Sequence, residues 1–245
     1  MIKISAVSYT NTIPFVFGLQ HHAIHKEIEL SLDNPAICAD KLIANQVAIG
    51  LIPVAAILDL PEAHIISDYC IGANGAVNSV FIFSNCPIAD IKYLQLDPQS
   101  KSSNNLALVL LKNYWKINPE LVSKAKEYGR STHPKTAFVQ IGDRTFGKVD
   151  QHPYVYDLAA EWKKFTGLEF IFAAWVSNKK LDDTFIKKFN EALKLGLNSR
   201  LKIFENMDMR KDFDLVEYLM HSIDYQLNDS KRQALQLFHQ YINEL

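Results

Sequence analysis

The first half of the chain alternates short apolar runs with helical patterns, and this alternation constrains the fold more than any other feature. Ile2–Val7 is strand-like, and from Pro14 the apolar residues Val16, Phe17 and Leu19 fall at helical spacing. Glu27–Leu32 alternates polar and apolar residues, as a half-buried strand does. Asp33-Asn34-Pro35 is a helix cap with proline in the first turn, opening a helix over Ala36–Ala44. Ala48–Leu51 is continuously apolar, the pattern of a parallel strand covered on both faces. A β-α-β-α-β order of this kind specifies an α/β protein with a parallel sheet.

The pattern continues with strands over Val77–Phe83, Tyr93–Leu96, Ala137–Ile141 and Phe170–Val176, and with helices over Asn104–Tyr114 and Tyr156–Phe165, the latter stopped by Gly167. From Leu181 onward only helical periodicity is legible, over Leu181–Leu197, Arg200–Met207, Leu215–His221 and Asp229–Ile242. The reading is therefore two α/β lobes joined by two crossings, near Phe83–Asn85 and near Phe170, with the last helices completing the first lobe. Residues 1–84 with 171–245 form one expected lobe and 85–170 the other. Paired crossings make a hinge, with a ligand cleft between the lobes.

Several functions are excluded. Lys and Arg number 26 against 27 Asp and Glu, which leaves no basic footprint for nucleic acid. The longest apolar stretch, Val47–Leu58, contains Gly50 and Pro53 and is too short for a membrane span. Cys38, Cys70 and Cys86 lack disulfide or zinc spacing and read as buried reduced thiols. His21, His22 and His25 read as a solvated helix end rather than a metal site. No Walker loop, GxGxxG fingerprint or nucleophile elbow is present, and Cys70–Gly75 is only a poor approach to the second. The opening segment lacks a secretory leader pattern, so a cytoplasmic protein is expected.

In α/β sheets ligands bind beyond the C-terminal ends of strands. Those positions are small or polar here: Ser8-Tyr9-Thr10-Asn11-Thr12, Pro53, Ser100–Ser103 before a helix, and Gly142-Asp143. The serine run is either an oxyanion site, with hydroxyls and helix-start N–H groups, or a plain cap using one serine. Asp143 is equally a cleft carboxylate or a turn cap. Trp175, within an apolar strand, reads as core. The residues themselves point to a cleft for a small oxyanionic ligand and go no further.

At these same residues the chain resembles the chorismate dehydratase family, which opens the futalosine route to menaquinone. Ala6–Pro14 resembles the family's "VSYLNTKP" opening, and the likeness continues in order through Ile49–Val54, Cys70–Ala73, Val77–Val80, Leu96-Asp97 with Ser100–Ser103, and Ile141–Asp143. It closes with Tyr156–Leu158, Trp162, Thr166–Leu168 and Phe172–Trp175, while the helical tail matches only in character. A sister enzyme of the same route carries a "Pro-Asn-Asp" turn where this chain has Tyr9-Thr10-Asn11.

The resemblance implies a two-lobe, type II periplasmic-binding-protein-like fold with a double-crossover hinge and C-terminal helices. It also implies a cytoplasmic lyase that removes water from chorismate without metal or redox cofactor, giving 3-[(1-carboxyvinyl)oxy]benzoate. Asn11 matches the family's active-site asparagine. The expected substrate-binding set is Ser8, Tyr9, Thr10, Asn78, Ser79, Ser100, Ser102, Ser103, Gly142 and Asp143. Two departures stand out: Ile13 occupies a position where the family often has a basic residue, and the family's Ser-x-Thr-Ser run is Ser100-Lys101-Ser102-Ser103. The competing reading is a non-catalytic binding or sensor module on the same fold. A homodimer is left open.

Overall fold

The computed structural model describes residues 1–122 and 133–245. β1 (Ile2–Val7) passes through a 3-10 turn at Thr10–Thr12 into α1 (Ile13–His21). β2 (Ile28–Asp33) leads to α2 (Pro35–Ile43), whose cap Asn34 accepts the Ile37 N–H, and β3 (Ile49–Pro53) leads to a 3-10 segment, Val54–Asp59. After β4 (His64–Ala73) come β5 (Val80–Ser84), β6 (Tyr93–Gln95), α3 (Lys101–Asn113), β7 (Glu120–Leu121), β8 (Thr136–Ile141), β9 (Tyr154–Asp157) and α4 (Leu158–Thr166). The chain ends with β10 (Phe170–Ser177), α5 (Asp183–Asn198), α6 (Arg200–Phe204), α7 (Leu215–Glu217), a π-helical turn at Tyr218–Ser222, β11 (Asp224–Gln226) and α8 (Asp229–Asn243).

The strands make two sheets. One has six strands in the order β11-β4-β10-β3-β1-β2, and the other has five, β7-β6-β8-β5-β9. β1 pairs in parallel with β2 and β3, as the apolar run of β3 leads one to expect, while β10 lies antiparallel between β3 and β4. The chain leaves the first sheet after Ala73, enters the second at Val80, and returns between Thr166 and Phe170.

The first passage is thus earlier than the sequence suggests. Val80–Ser84 pairs with β8 and β9 and belongs to the second sheet, so the expected crossing near Phe83–Asn85 and the boundary at residue 84 move back by several residues. Four described strands escape the sequence reading altogether, among them the two-residue β7, which is too short to carry a pattern. β4 ends in Gly72-Ala73 and shifts register twice against β10, which breaks the period-two pattern. β9 precedes α4 where a helix is expected to have begun at Tyr156, and β11 is a three-residue strand in a tail that reads as wholly helical.

Trp175 is fully buried and packs edge-on against Phe15 of α1 and Phe189 of α5, at 5.9 and 5.1 Å between ring centres. Trp162 of α4 meets Phe170 and Phe238 at 5.2 and 6.0 Å, which ties a helix that follows the second sheet to β10 and α8. Burial of one such aromatic contributes about 1.5–3 kcal/mol, and each edge-on pair about 0.5–1.5 kcal/mol more. The three cysteines are buried and unbonded to one another, and burial pushes the Cys70 thiol up to about 12, out of the reactive range.

Candidate functional site

Between the sheets lies a cavity with about 520 Å³ free of atoms, of which the centre of a water-sized sphere reaches about 50 Å³. One wall comes from Val7, Tyr9, Asn11, Pro35 and Pro53, at or beyond the ends of β1, β2 and β3. Another comes from Ser79, Val80, Ser100, Ser102, Ser103, Ile141 and Gly142, on the side of the second sheet, and Ile71, Val77, Phe172 and Ala173 complete the lining. Hydroxyls, one carboxamide and apolar side chains face the cavity, and among the described residues no Asp, Glu, Lys, Arg or His lines it.

α3 aims its N-terminus here. Ser100 caps the helix, its Oγ accepting the Ser103 N–H at 3.1 Å, and Ser102 Oγ accepts the Ala55 N–H at 3.1 Å. Each of these hydroxyls thus accepts a bond from the protein, and neither donates one among the described residues, so both O–H protons remain for a ligand. The helix start adds the positive end of a 13-residue dipole. Asp97 anchors this corner: its buried carboxylate accepts the Ile141 and Gln99 N–H groups at 3.0 and 2.9 Å and pairs with Arg144 at 2.6 Å.

The cleft is closed by bonds between its two sides. Tyr9 Oη donates to Gln99 Oε1 at 2.6 Å, and Lys101 pairs with Asp59. Asp143 accepts from the Thr10 N–H at 3.2 Å and from Thr10 Oγ1 at 2.9 Å. Burial pushes the Asp143 carboxyl up, against the opposing pull of the Thr10 donors. Burial also raises Tyr9, despite the nearby Arg144, so its phenol stays protonated at neutral pH. Gly142 has φ of 64° and lies against the Tyr9 ring; a Cβ there would sit 2.7 Å from Tyr9 Cε2. Only glycine satisfies both demands.

Residues 2–244 match the family described as menaquinone biosynthesis. The chain belongs to that family. A chorismate dehydratase of Campylobacter jejuni (subsp. jejuni serotype O:23/36, strain 81-176) is 30% identical over 177 residues, taking in 70% of this chain and 65% of that protein, just under two thirds of its length. Protein AF1704 of Archaeoglobus fulgidus superposes with a TM-score of 0.72 at 13% identity, covering 99% of this chain and 97% of that one. The Candida albicans CA3427 product, described as having the generic periplasmic binding protein fold, gives 0.63 at 12% identity over 100% and 90%. The Escherichia coli aliphatic sulphonate binding protein SsuA gives 0.60 at 16% over 99% and 86%. The fold of this menaquinone-biosynthesis family member is that of the periplasmic binding proteins, as the resemblance led one to expect.

Of the expected site residues, Tyr9, Asn11, Ser79, Ser100, Ser102, Ser103 and Gly142 line the cavity. Ser8, Thr10, Asn78 and Asp143 are not among its lining residues. Ser8 is exposed, and its N–H bonds to Asp33 O. Thr10 and Asp143 bond each other, so Asp143 caps a turn, though not its own: it holds the turn bearing Asn11 from across the cleft. Asn78, with φ of 57°, gives its N–H to Asp157 and its side-chain amide to Ser222. Ser100 serves as the helix cap, and it also lines the cavity with Ser102 and Ser103. The apolar lining of Pro35, Val77 and Phe172 was not singled out from sequence, and neither was Tyr218, which touches Asn11 and Ser79; an aromatic at helical period reads only as core.

Proposed function

We propose that this protein is a chorismate dehydratase, a lyase that eliminates water from chorismate to give 3-[(1-carboxyvinyl)oxy]benzoate. The observation that carries the reading is the cavity's chemistry: neutral donors and a helix N-terminus, with Tyr9, among the described residues, the only lining side chain that titrates and that one protonated. Hydroxyls and helix-start N–H groups suit the two carboxylates of the substrate.

The reaction takes the C3–H bonding pair into the ring as the C4–O bond breaks, and the aromatic product makes it downhill. Asn11 donates a hydrogen bond to the leaving C4 hydroxyl or to a substrate carboxylate. An amide is too weak a base to take the C3 proton, and among the described residues no lining side chain supplies one at neutral pH. A substrate carboxylate or a water therefore accepts it.

As it stands the cavity has room for roughly four waters, fewer than chorismate displaces, so admission requires the two sides to part. Residues 74–79 and 167–169, where the chain passes between sheets, are the proposed hinge between two lobes. The Thr10–Asp143 and Tyr9–Gln99 bonds are the contacts such opening would break.

Incubation with chorismate, followed by chromatography with mass detection, tests the reading. Loss of one water at an enzymatic rate is expected, with kcat about a hundredfold lower in Asn11→Ala, the cost of one transition-state hydrogen bond in such sites. Chorismate recovered intact would overturn the reading in favour of a binding module, and normal turnover in the variant would remove the role of Asn11.

A further inference from the structure

Tyr218 stands in the π-helical turn after α7, 139 positions from Ser79 and 207 from Asn11, yet its phenol joins the two. Asn11 Nδ2 donates to Tyr218 Oη over a long 3.5 Å, and Tyr218 Oη donates to Ser79 Oγ at 2.8 Å. The ring is 1% exposed and is held edge-on by Phe146 and Phe213, with centres 5.2 and 5.3 Å away. Burial pushes the phenol well up, so it carries its proton throughout the working range.

A phenol has one proton to give. Directed at Ser79, it leaves only lone pairs for Asn11, whose NH2 must then face Tyr218. Thr12 Oγ1 donates to Asn11 Oδ1 at 3.2 Å and demands the same orientation from the other end of the amide. Ser79, having accepted, keeps its own proton for the cavity that it lines. One hydroxyl thus sets the direction of two polar groups that come from different sides of the cleft.

We propose that Tyr218 is a positioning residue for the dehydration. Its single phenolic proton fixes the orientation of the Asn11 amide and turns the Ser79 hydroxyl outward, so that a substrate meets one N–H and one O–H donor in set directions. For the reaction served, this rests on the chorismate dehydratase reading; the orientation of Asn11 and Ser79 does not. Long hydrogen bonds in a ligand-free catalytic site tighten when substrate binds, which is the sense expected for the 3.5 Å contact.

Tyr218→Phe keeps the ring and removes the hydroxyl. The expected result is a kcat for chorismate about ten- to a hundredfold lower, KM within about threefold, and a melting temperature only a few degrees lower. A purely structural role would lower the melting temperature and leave kcat and KM of the folded enzyme unchanged, and that result overturns the proposal. A second readout needs no turnover. In the ligand-free protein, the two side-chain amide protons of ¹⁵N-labelled Asn11 should exchange with solvent at different rates, and Tyr218→Phe should erase that difference. Ser79→Ala, which frees the phenolic proton to point at Asn11, should alter the same signals. Unchanged Asn11 amide signals in both variants overturn the proposal whatever the substrate. Wild-type protein inert toward chorismate, with the amide signals responding, would overturn the functional reading and leave the positioning role standing.

Discussion

Residues 74–79 carry the chain from β4 to β5 and residues 167–169 carry it back from α4 to β10, and the two passages are pinned by different chemistry. The outward one is held by side-chain bonds to Ser79 and Asn78 and, at its centre, by one carboxylate. Asp157 Oδ2 accepts the Val77 and Asn78 N–H groups at 3.0 and 2.7 Å, while Oδ1 caps α4 by accepting those of Ala159 and Ala160, both at 3.0 Å. Even with four main-chain donors, burial pushes this carboxyl up to about 6. The return passage is held by an ion cluster. Lys231, with its side chain 0% exposed, lies 3.4 Å from Glu169 and 2.8 Å from Asp224, and donates to Gln226 O at 2.6 Å. Gly72 makes room for it, since a Cβ there would meet Lys231 Cε at 2.7 Å. Glu169 also accepts from Asn228 at 2.7 Å, so the start of α8 is fastened to the strand entering the first sheet. The outward passage therefore contains one anchor that titrates, and the return passage gathers on one side chain.

Removing that side chain should give the largest effect. Lys231→Met keeps most of the stem's volume and deletes the charge, leaving two carboxylates without their common partner. Breaking a buried pair in this way costs about 3–5 kcal/mol. Urea unfolding at pH 7 should show a midpoint shift of that size without a change in slope. A loss below about 1 kcal/mol would mean that Glu169 and Asp224 are served well enough by solvent, and the contrast between the passages would fail.

The next effect is a pH dependence confined to the outward passage. Asp157 holds its proton more tightly in the fold, at about 6, than in the unfolded chain, near 3.8. The folded state therefore binds more protons between these values, and stability falls as pH rises. The contribution is fully present below about pH 4 and is lost as the pH passes through about 6, a change of about 3 kcal/mol at 1.36 kcal/mol per unit. Subtracting the pH series of Asp157→Asn from that of the wild type isolates this one group. A flat difference between pH 4 and 7 would show that the four N–H donors balance the burial.

These two anchors also show what was legible in the sequence and what was not. Local chemistry could be read: β1 and β2 from their apolar spacing, the Asn34-Pro35 and Ser100 caps, and Gly167, which ends α4 at φ of 76°. The cluster of strand ends around the cavity could be read too, because polar residues following apolar runs mark the binding edge of such sheets. Partnerships across long separations left no local mark. Lys231 sits in an amphipathic helix where a lysine reads as solvent-facing, and only Gly72, some 160 positions earlier, explains its burial. Around Gly72 no strand is legible, because glycine and the register shifts interrupt β4. Tyr218 is the same case within the site, since both polar contacts of its side chain are to distant segments.

The smallest effect separates backbone from side chain at Asn78. Its φ of 57° lies in the left-handed region, and its amide donates to Ser222 Oγ at 3.0 Å, linking the outward passage to the turn that carries Tyr218. Asn78→Gly keeps the backbone and loses one hydrogen bond, about 0.5–1.5 kcal/mol. Asn78→Ala loses the bond and must also hold a Cβ in a left-handed conformation, which adds about 1 kcal/mol or slightly more. Equal losses in the two variants would mean that the passage relaxes to another backbone shape and that the Asp157 bonds do not impose this one. The same pair bears on substrate binding. Asn78 was expected to touch substrate, but it does not line the cavity, and its polar groups are engaged by Asp157 and Ser222. On the proposed chorismate dehydratase reading, if it acts only on the passage, KM for chorismate in Asn78→Gly stays within about threefold of the wild type. A tenfold rise would return Asn78 to the binding site and require the open cleft to expose its amide to the substrate.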